Sequence, residues 1–469
     1  MEVTLRGKQC EVMALPVIGH TVVLGTAGSG KTTVALRRAL FLANLPNNPK
    51  VLLVTFNNAL VRYIDSFSDS QHTGLVVESY HKFARGYLNS RGKMPSAKGI
   101  LNSKQKRDYI EQALNICKES FPNESTLKRP KEFFFDEIGF IQQFGFKDFE
   151  EYQKAERIGR SSAFLSRENR KWIYKVYIHY LELRKNDGYI YDWDDIANAV
   201  YDELGKDLSE RRYTHIIVDE GQDFSPIMLK SLVKATRNNG SFSFFGDVAQ
   251  QIYGHRLSWR DSEIKISKVW RFDVNYRNPQ TIIRFAQDIT KSSYWLQDKD
   301  MVDATPYIAE GPRPVLIKFS DEEKENEWLV NRAIQSSNTA SVVVICRSYE
   351  EKNAIVRCFT DHGKHIQEIN KETPGFNYAK KIYVSTFHSV KGLEFDYVFI
   401  PYLNNDSFPN ANAVEAAVTL EDAYNDELKL LYVAVTRCRY GLFMSYSGEL
   451  SLLFPKKSSN FDYCTEDDL

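Results

Sequence analysis

The 469-residue sequence predicts an α/β fold of two parallel-sheet units, with a helical insertion in the first. Three observations carry that prediction. Short apolar runs ending in polar residues recur along the chain, as strands buried on both faces of a parallel sheet do. One of them, Thr21-Val22-Val23-Leu24, runs into Gly25-Thr26-Ala27-Gly28-Ser29-Gly30-Lys31-Thr32 and then a helical stretch from Thr33 to Leu42, which is a G-x-x-x-x-G-K-[ST] phosphate loop in its proper setting. A break at Glu310-Gly311-Pro312-Arg313-Pro314 divides the strand runs into two series, and only the first has a phosphate loop. The expected organisation is a first sheet unit over residues 1–87 and 201–275, helices over 88–200, a second sheet unit over 276–455, and an acidic, frayed tail over 456–469.

Composition is that of a globular protein, 43% hydrophobic and 26% charged. Lys+Arg and Asp+Glu are equal at 61 each, so any nucleic-acid surface has to be a local patch. Six scattered cysteines without a C-x-x-C argue against a zinc centre or a disulfide framework, and free thiols suit the cytoplasm. No apolar run is long enough for a membrane span, and no leader pattern precedes the first strand.

In the phosphate loop the glycines let backbone N–H groups converge on phosphate oxygens, and the following helix adds the positive end of its dipole. Lys31 reaches the β- and γ-phosphates, and the Thr32 hydroxyl holds Mg²⁺. Upstream, Gln9 offers one donor and one acceptor, enough to pair with the N6 and N7 edge of adenine. Val51 to Phe56 and Leu75 to Val77 read as further strands. Their ends deliver Thr55, Phe56, Asn57, Ser79 and His81 to the edge where such sheets bind ligands.

From Leu88 to Val200 helical periodicity takes over. Arg167 to Arg184 is the clearest helix, with Trp172, Val176 and Tyr180 as its apolar stripe and Arg167, Arg170, Lys171 and Lys175 on other faces. The sheet pattern returns at His215-Ile216-Ile217-Val218, which ends in Asp219-Glu220. After a phosphate loop, Asp219 is placed to hold Mg²⁺ and Glu220 to polarise the attacking water. Gln250 follows the next strand, where a neutral amide can sense a γ-phosphate. In Asn275-Tyr276-Arg277-Asn278-Pro279, Arg277 can place charge at that phosphate and Tyr276 can stack on a base. The second series runs through Val315–Ile317, Val342–Ile345, Ile382–Val384, Tyr397–Ile400 and Leu442–Met444.

The ordered pieces GTAGSGKTT, TFNNAL, SYHKF, IIVDEGQD, FFGDVAQQIY, NYRNP, VSTFHSVKGLEFDYVFIP and LLYVAVTRCR span residues 9 to 446. Together they resemble a superfamily 1 helicase of the UvrD/Rep/PcrA type. The resemblance implies two RecA-like domains with ATP and Mg²⁺ in the cleft between them, a helical 1B-like insertion, and 3′ to 5′ movement on single-stranded DNA. Gly25, Thr26, Ala27, Gly28, Ser29, Gly30, Lys31, Thr32 and Thr33 would contact the nucleotide. Gln9 would read the adenine, Tyr276 would stack on it, and Glu394 would hold the ribose. Gln250 would contact the γ-phosphate, with Arg277 and Arg437 as paired arginine fingers. Thr55, Phe56, Asn57, Ser79, His81, Tyr253, His255, Thr386 and His388 would line the strand.

The chain departs from that pattern twice. His255 stands where the family carries a DNA-stacking Trp, leaving Tyr253 or the nearby Trp259 as substitutes. Only about a dozen residues separate Gln367-Glu368-Ile369 from the Ile382 strand, too few for the family's 2B subdomain. A second reading follows, in which the chain is a nucleotide-gated subunit acting on a partner such as a nuclease, a polymerase or a phage-defence complex. A P-loop kinase is disfavoured because the second sheet with its paired arginines would have no role. Stacking and phosphate contacts do not read the sugar, so RNA stays an alternative to DNA.

Overall fold

The computed structural model describes residues 4–55, 74–94, 99–156, 165–209, 212–250, 259–296, 299–369, 381–417 and 419–469. Its first sheet has six parallel strands: β1 (Gly19–Gly25), β2 (Val51–Val54), β3 (Leu75–Glu78), β4 (Tyr213–Val218), β5 (Thr236–Gly246) and β6 (Val269–Phe272), in the order β3-β2-β4-β5-β1-β6. The apolar runs bury both faces by simple alternation. Val22, Leu24, Leu52, Val54, Ile216 and Val218 pack on one side with α3 (Tyr80–Ser90). Val23, Val51, Leu53, Ile217 and Phe245 pack on the other against α2 (Lys31–Ala43). Arg38 of α2 is fully buried, and its guanidinium donates to the carbonyls of Val12 at 3.1 Å and Pro16 at 2.9 Å. It thereby fixes α1 (Lys8–Met13), the short helix that carries Gln9.

Between β3 and β4 stand the helices α4 (Ser103–Ser120), α5 (Lys131–Phe144), α6 (Phe149–Lys154), α7 (Arg170–Asn186) and α8 (Ile196–Lys206). The first four share an aromatic-rich core of their own, built around Phe134, Phe140, Tyr152, Trp172, Val176 and Tyr180. The apolar stripe on α7 is buried as its spacing predicts. Arg170 is not on a solvated face. It is buried, and one of its nitrogens donates to the carbonyls of Tyr152, Gln153 and Ala155 at the end of α6.

The second sheet is also parallel, in the order β11-β12-β10-β13-β14-β9-β15. Its strands are β9 (Val315–Phe319), β10 (Val342–Cys346), β11 (Gln367–Ile369), β12 (Ile382–Thr386), β13 (Phe395–Ile400), β14 (Cys438–Ser447) and β15 (Asp462–Thr465). One face packs on α9 (Gln280–Thr290) and α10 (Leu420–Val435), the helix that ends just before Arg437. A two-stranded parallel ribbon, β7 (Val274–Asn275) with β8 (Thr305–Pro306), lies in the connection between the sheets.

The acidic end departs from expectation. Asp462–Thr465 is not frayed but pairs in parallel with β9. The Arg313 guanidinium donates to Asp462 at 2.6 Å, and Glu466 accepts from the Ser320 amide and the Lys324 ammonium. Among the described residues no helix is long and apolar enough to cross a membrane.

Candidate functional site

The ends of β1, β4 and β5 bring the phosphate loop, Asp219-Glu220 and Asp247 to one edge of the first sheet. Gly28 adopts φ +69°, and a Cβ there would lie 2.6 Å from the Arg277 Cβ, so the loop is bare backbone where the downstream arginine packs against it. Lys31 Nζ lies across the loop mouth, donating to the carbonyls of Gly25 at 3.0 Å and Thr26 at 2.8 Å, with Asp247 at 3.4 Å. A phosphate cradled by the loop would meet this ammonium directly.

The Thr32 hydroxyl donates to Asp219 Oδ2 at 2.9 Å, while the other Asp219 oxygen is buried without a hydrogen-bond partner. Burial and the neighbouring Glu220 push this carboxyl up to about 7. A hydroxyl and an orphaned buried carboxylate oxygen are hard oxygen donors of the kind Mg²⁺ takes, so the residues fit that ion. Glu220 sits at φ +53°, a strained conformation for a side-chain-bearing residue. Burial would raise its carboxyl, but Lys391, Lys31, the Gln222 amide and Arg437 together hold it below the ordinary value. Gln222 Nε2 donates to it at 2.6 Å. Glu220 is therefore ionised, as a base must be. Gly221 permits this turn, since a Cβ there would come within 2.2 Å of the Phe244 ring.

The second sheet unit supplies the opposite wall. Arg437 is 1% exposed, and its guanidinium donates to Val433 O at 2.9 Å and Gln250 Oε1 at 2.7 Å. Gln250 in turn donates from Nε2 to Asp247 at 2.7 Å, so one amide links the two arms of the cleft. Burial and nearby Arg277 lower the Arg437 guanidinium to about 10, which leaves it charged at neutral pH. Arg277 is paired with Glu394, the residue expected at the ribose. Asn278 donates to the carbonyls of Thr436 and Cys438 while Asn275 holds the amides of Arg277 and Asn278, so the two arginine segments are tied together. Lys391 donates to both oxygens of Asp223 at 2.7 Å and to the Gln250 carbonyl at 2.8 Å, a second bridge that the motif reading did not foresee. At the base end, Gln9 Oε1 accepts from the Arg6 amide at 3.0 Å and Nε2 donates to the Ser29 carbonyl at 2.9 Å.

The expected strand-contacting residues divide. Phe56, Asn57, Tyr253 and His255 lie outside the described residues. Ser79 and His81 open onto a groove of about 650 Å³, together with Lys82, Arg85, Asn89 and Trp193. Ser79 caps α3 by accepting from the Lys82 amide. The His81 ring meets Trp193 edge-on at 4.8 Å, and burial lowers its pKa, so it is neutral at physiological pH. Thr55 and Thr386 are buried instead, with Thr386 donating to the Ser389 hydroxyl at 3.1 Å, and His388 is half-buried. Trp259 does not substitute as a stacking platform: its ring packs edge-on against Phe244 at 5.0 Å, and its indole N–H donates to Asp300 at 2.6 Å.

Trp193, Lys82 and Arg85 escaped the sequence reading. Trp193 precedes α8, far from His81 in sequence, and a buried ion network holds its loop. Asp192 accepts from Tyr180, from Gln142 at 2.9 Å and from Arg184 at 3.0 Å, and Lys106 donates to Asp194. The signal available was an aromatic set between acids in Tyr191-Asp192-Trp193-Asp194-Asp195.

Residues 5–269 match the family profile described as the UvrD/REP helicase N-terminal domain, and residues 364–449 match the UvrD-like helicase C-terminal domain. The chain is similar to a probable DNA helicase of Mycoplasma pneumoniae, 24% identical over 91% of this chain and 80% of that protein. It is also similar to the putative ATP-dependent DNA helicase YjcD of Bacillus subtilis, at 27% identity over 67% of this chain, and to DNA helicase II of Haemophilus influenzae, at 26% over 61%. It covers 41% and 40% of the lengths of those two proteins.

Proposed function

The chain belongs to the UvrD/REP helicase family, and from that premise we propose that it is an ATP-driven motor that moves 3′ to 5′ along single-stranded DNA and separates strands. The observation that carries the reading is the relay Lys31–Asp247–Gln250–Arg437, which runs from the phosphate loop across to the end of α10. Lys31 binds the β- and γ-phosphates in place of its own loop carbonyls. Glu220 takes the proton of the attacking water. Arg277 and Arg437 approach the γ-phosphate from the second unit and offset the charge that develops there. Mg²⁺ held by Thr32 and Asp219 would add charge neutralisation at the phosphates. Once the γ-phosphate leaves, the cleft loses the anion shared by Lys31 on one wall and Arg277 and Arg437 on the other, and it opens. The groove at His81 and Trp193 grips the strand through base stacking and the charges of Lys82 and Arg85, without reading sequence.

The test is strand separation by the purified chain on duplexes with a 3′ or a 5′ single-stranded tail, with ATP and Mg²⁺. Unwinding of the 3′-tailed duplex alone supports the proposal, and preference for the 5′ tail contradicts the polarity. The second reading rests on the short link between β11 and β12. Residues 370–381 are too few to form a further domain beside the cleft. If the chain hydrolyses ATP and moves on DNA yet leaves both duplexes intact, the partner-gated reading takes over.

A further inference from the structure

We infer that Tyr307, backed by Arg6, is a positioning residue for base recognition, holding the Tyr276 ring and the Gln9 amide in one register. This inference deepens the ATP-binding reading above and rests on it. The two base-reading groups come from distant parts of the chain, Gln9 from α1 and Tyr276 from the end of β7, so something has to set their relative placement. The phosphate loop ties both to its backbone, Gln9 Nε2 donating to the Ser29 carbonyl and the Tyr276 amide to the Gly28 carbonyl, each at 2.9 Å, and a second link runs through side chains. The Tyr276 and Tyr307 rings lie 5.0 Å apart, tilted by 53°, at contact distance for an aromatic pair. The Arg6 guanidinium lies over the other ring of that pair, 5.0 Å from the Tyr307 centroid. The Arg6 backbone amide holds Gln9 Oε1. Arg6 thus joins Gln9, through its backbone amide, to Tyr307, through its guanidinium, and Tyr307 in turn meets Tyr276.

The backbone supports the same assignment. Tyr307 follows β8, and its amide donates to the Asn275 carbonyl at 3.2 Å, directly before Tyr276. Lys8 of α1 donates to Asp273, the residue just before β7, at 2.8 Å. Gln9 keeps one N–H and one acceptor lone pair after its bonds to Ser29 and Arg6, the pair a purine N7 and exocyclic amine require. Its orientation is pinned because reversing the amide would set its N–H₂ against the Arg6 N–H and its oxygen against the Ser29 carbonyl. Tyr307 is 54% exposed, so it contributes little to the core and its conservation of fold is not at stake on truncation.

The experiment compares ADP with inorganic tripolyphosphate, which has the phosphates but no base, by calorimetry on the full chain. Tyr307→Ala is expected to weaken ADP roughly three- to tenfold and leave tripolyphosphate unchanged, because only the base contact is lost. Saturating ATP should restore kcat while KM stays raised. Tyr307→Phe keeps the ring and should bind as the unaltered chain does, and Arg6→Ala should weaken ADP in the same direction. Unchanged or tighter ADP binding in Tyr307→Ala overturns the inference, and so does an equal loss for both ligands, which would mean a disturbed phosphate loop. Failure of the unaltered chain to bind either ligand would overturn the nucleotide reading itself, a result distinct from failure of the Tyr307 assignment.

Discussion

Removing the Lys391 ammonium is expected to uncouple the cleft. Its three hydrogen bonds reach Asp223 and the Gln250 carbonyl, with Lys391 and Asp223 side chains only 9% and 4% exposed. Truncating one partner of such a buried pair costs about 3–5 kcal/mol, because the other charge is left without water or counter-ion. The bridge joins the two sheet units, so the loss falls on the closed form of the cleft more than on either fold. Lys391→Met should therefore lower kcat for DNA-saturated ATP hydrolysis by roughly 100-fold at pH 8, taking 3 kcal/mol as the loss. The part of the penalty that Asp223 carries should shrink towards pH 6, while Glu220, which Lys391 also holds ionised, becomes easier to protonate in the variant and offsets that recovery in kcat. Burial already lifts Asp223 to about 6 despite Lys391, and without the ammonium it takes up a proton more readily still. ADP affinity should stay near that of the unaltered chain, since the phosphate loop and base site are untouched. A kcat within about twofold of the unaltered chain at pH 8 would refute the bridge as a closing contact.

Three further outcomes are expected. Trp193→Ala should weaken oligo(dT) binding by about 1–3 kcal/mol in fluorescence anisotropy, and removing Lys82 or Arg85 should each reduce the salt slope by about one; unchanged binding would remove the groove from the strand path. Gly221→Ala forces a Cβ into the Phe244 ring and should cost about 1–3 kcal/mol in urea unfolding together with most of the hydrolysis, whereas an unchanged midpoint would show that the turn relaxes. Asp195 is raised by burial and by Asp192, so the folded state retains a proton that the unfolded chain has released. Its contribution to stability therefore falls as pH rises from about 4 towards neutrality, and Asp195→Asn should flatten that slope in urea titrations.

The local parts of the site were legible in the sequence because their chemistry is written in consecutive residues. The phosphate loop, Asp219-Glu220 and the strands on either side follow from spacing and alternation alone. Arg437, Gln250 and Arg277 could be named as site residues, but their partners could not, because which carboxylate or amide each meets is decided by how two separate sheets face each other. Lys391 reads as one charged residue in a glycine-containing turn until β12 and β13 bring it against Asp223. Nothing in the sequence places Trp193 beside His81 until Lys106 of α4, Gln142 of α5 and Arg184 of α7 hold its loop through Asp192 and Asp194. Trp259 errs in the opposite direction, since proximity in sequence to a missing stacking residue says nothing about the Phe244 ring that claims it. The acidic end misled because its charges suggested solvent, whereas Arg313 and Lys324 hold Asp462 and Glu466 and the backbone between them pairs with the edge of β9.

The most direct test of the motor assignment is steady-state ATP hydrolysis with and without single-stranded DNA, for the unaltered chain and for Lys31→Ala. The expected result is slow hydrolysis alone, strong stimulation by the strand, and no turnover in Lys31→Ala with or without it. Equal rates in the presence and absence of nucleic acid, or turnover that survives the loss of Lys31, would contradict it.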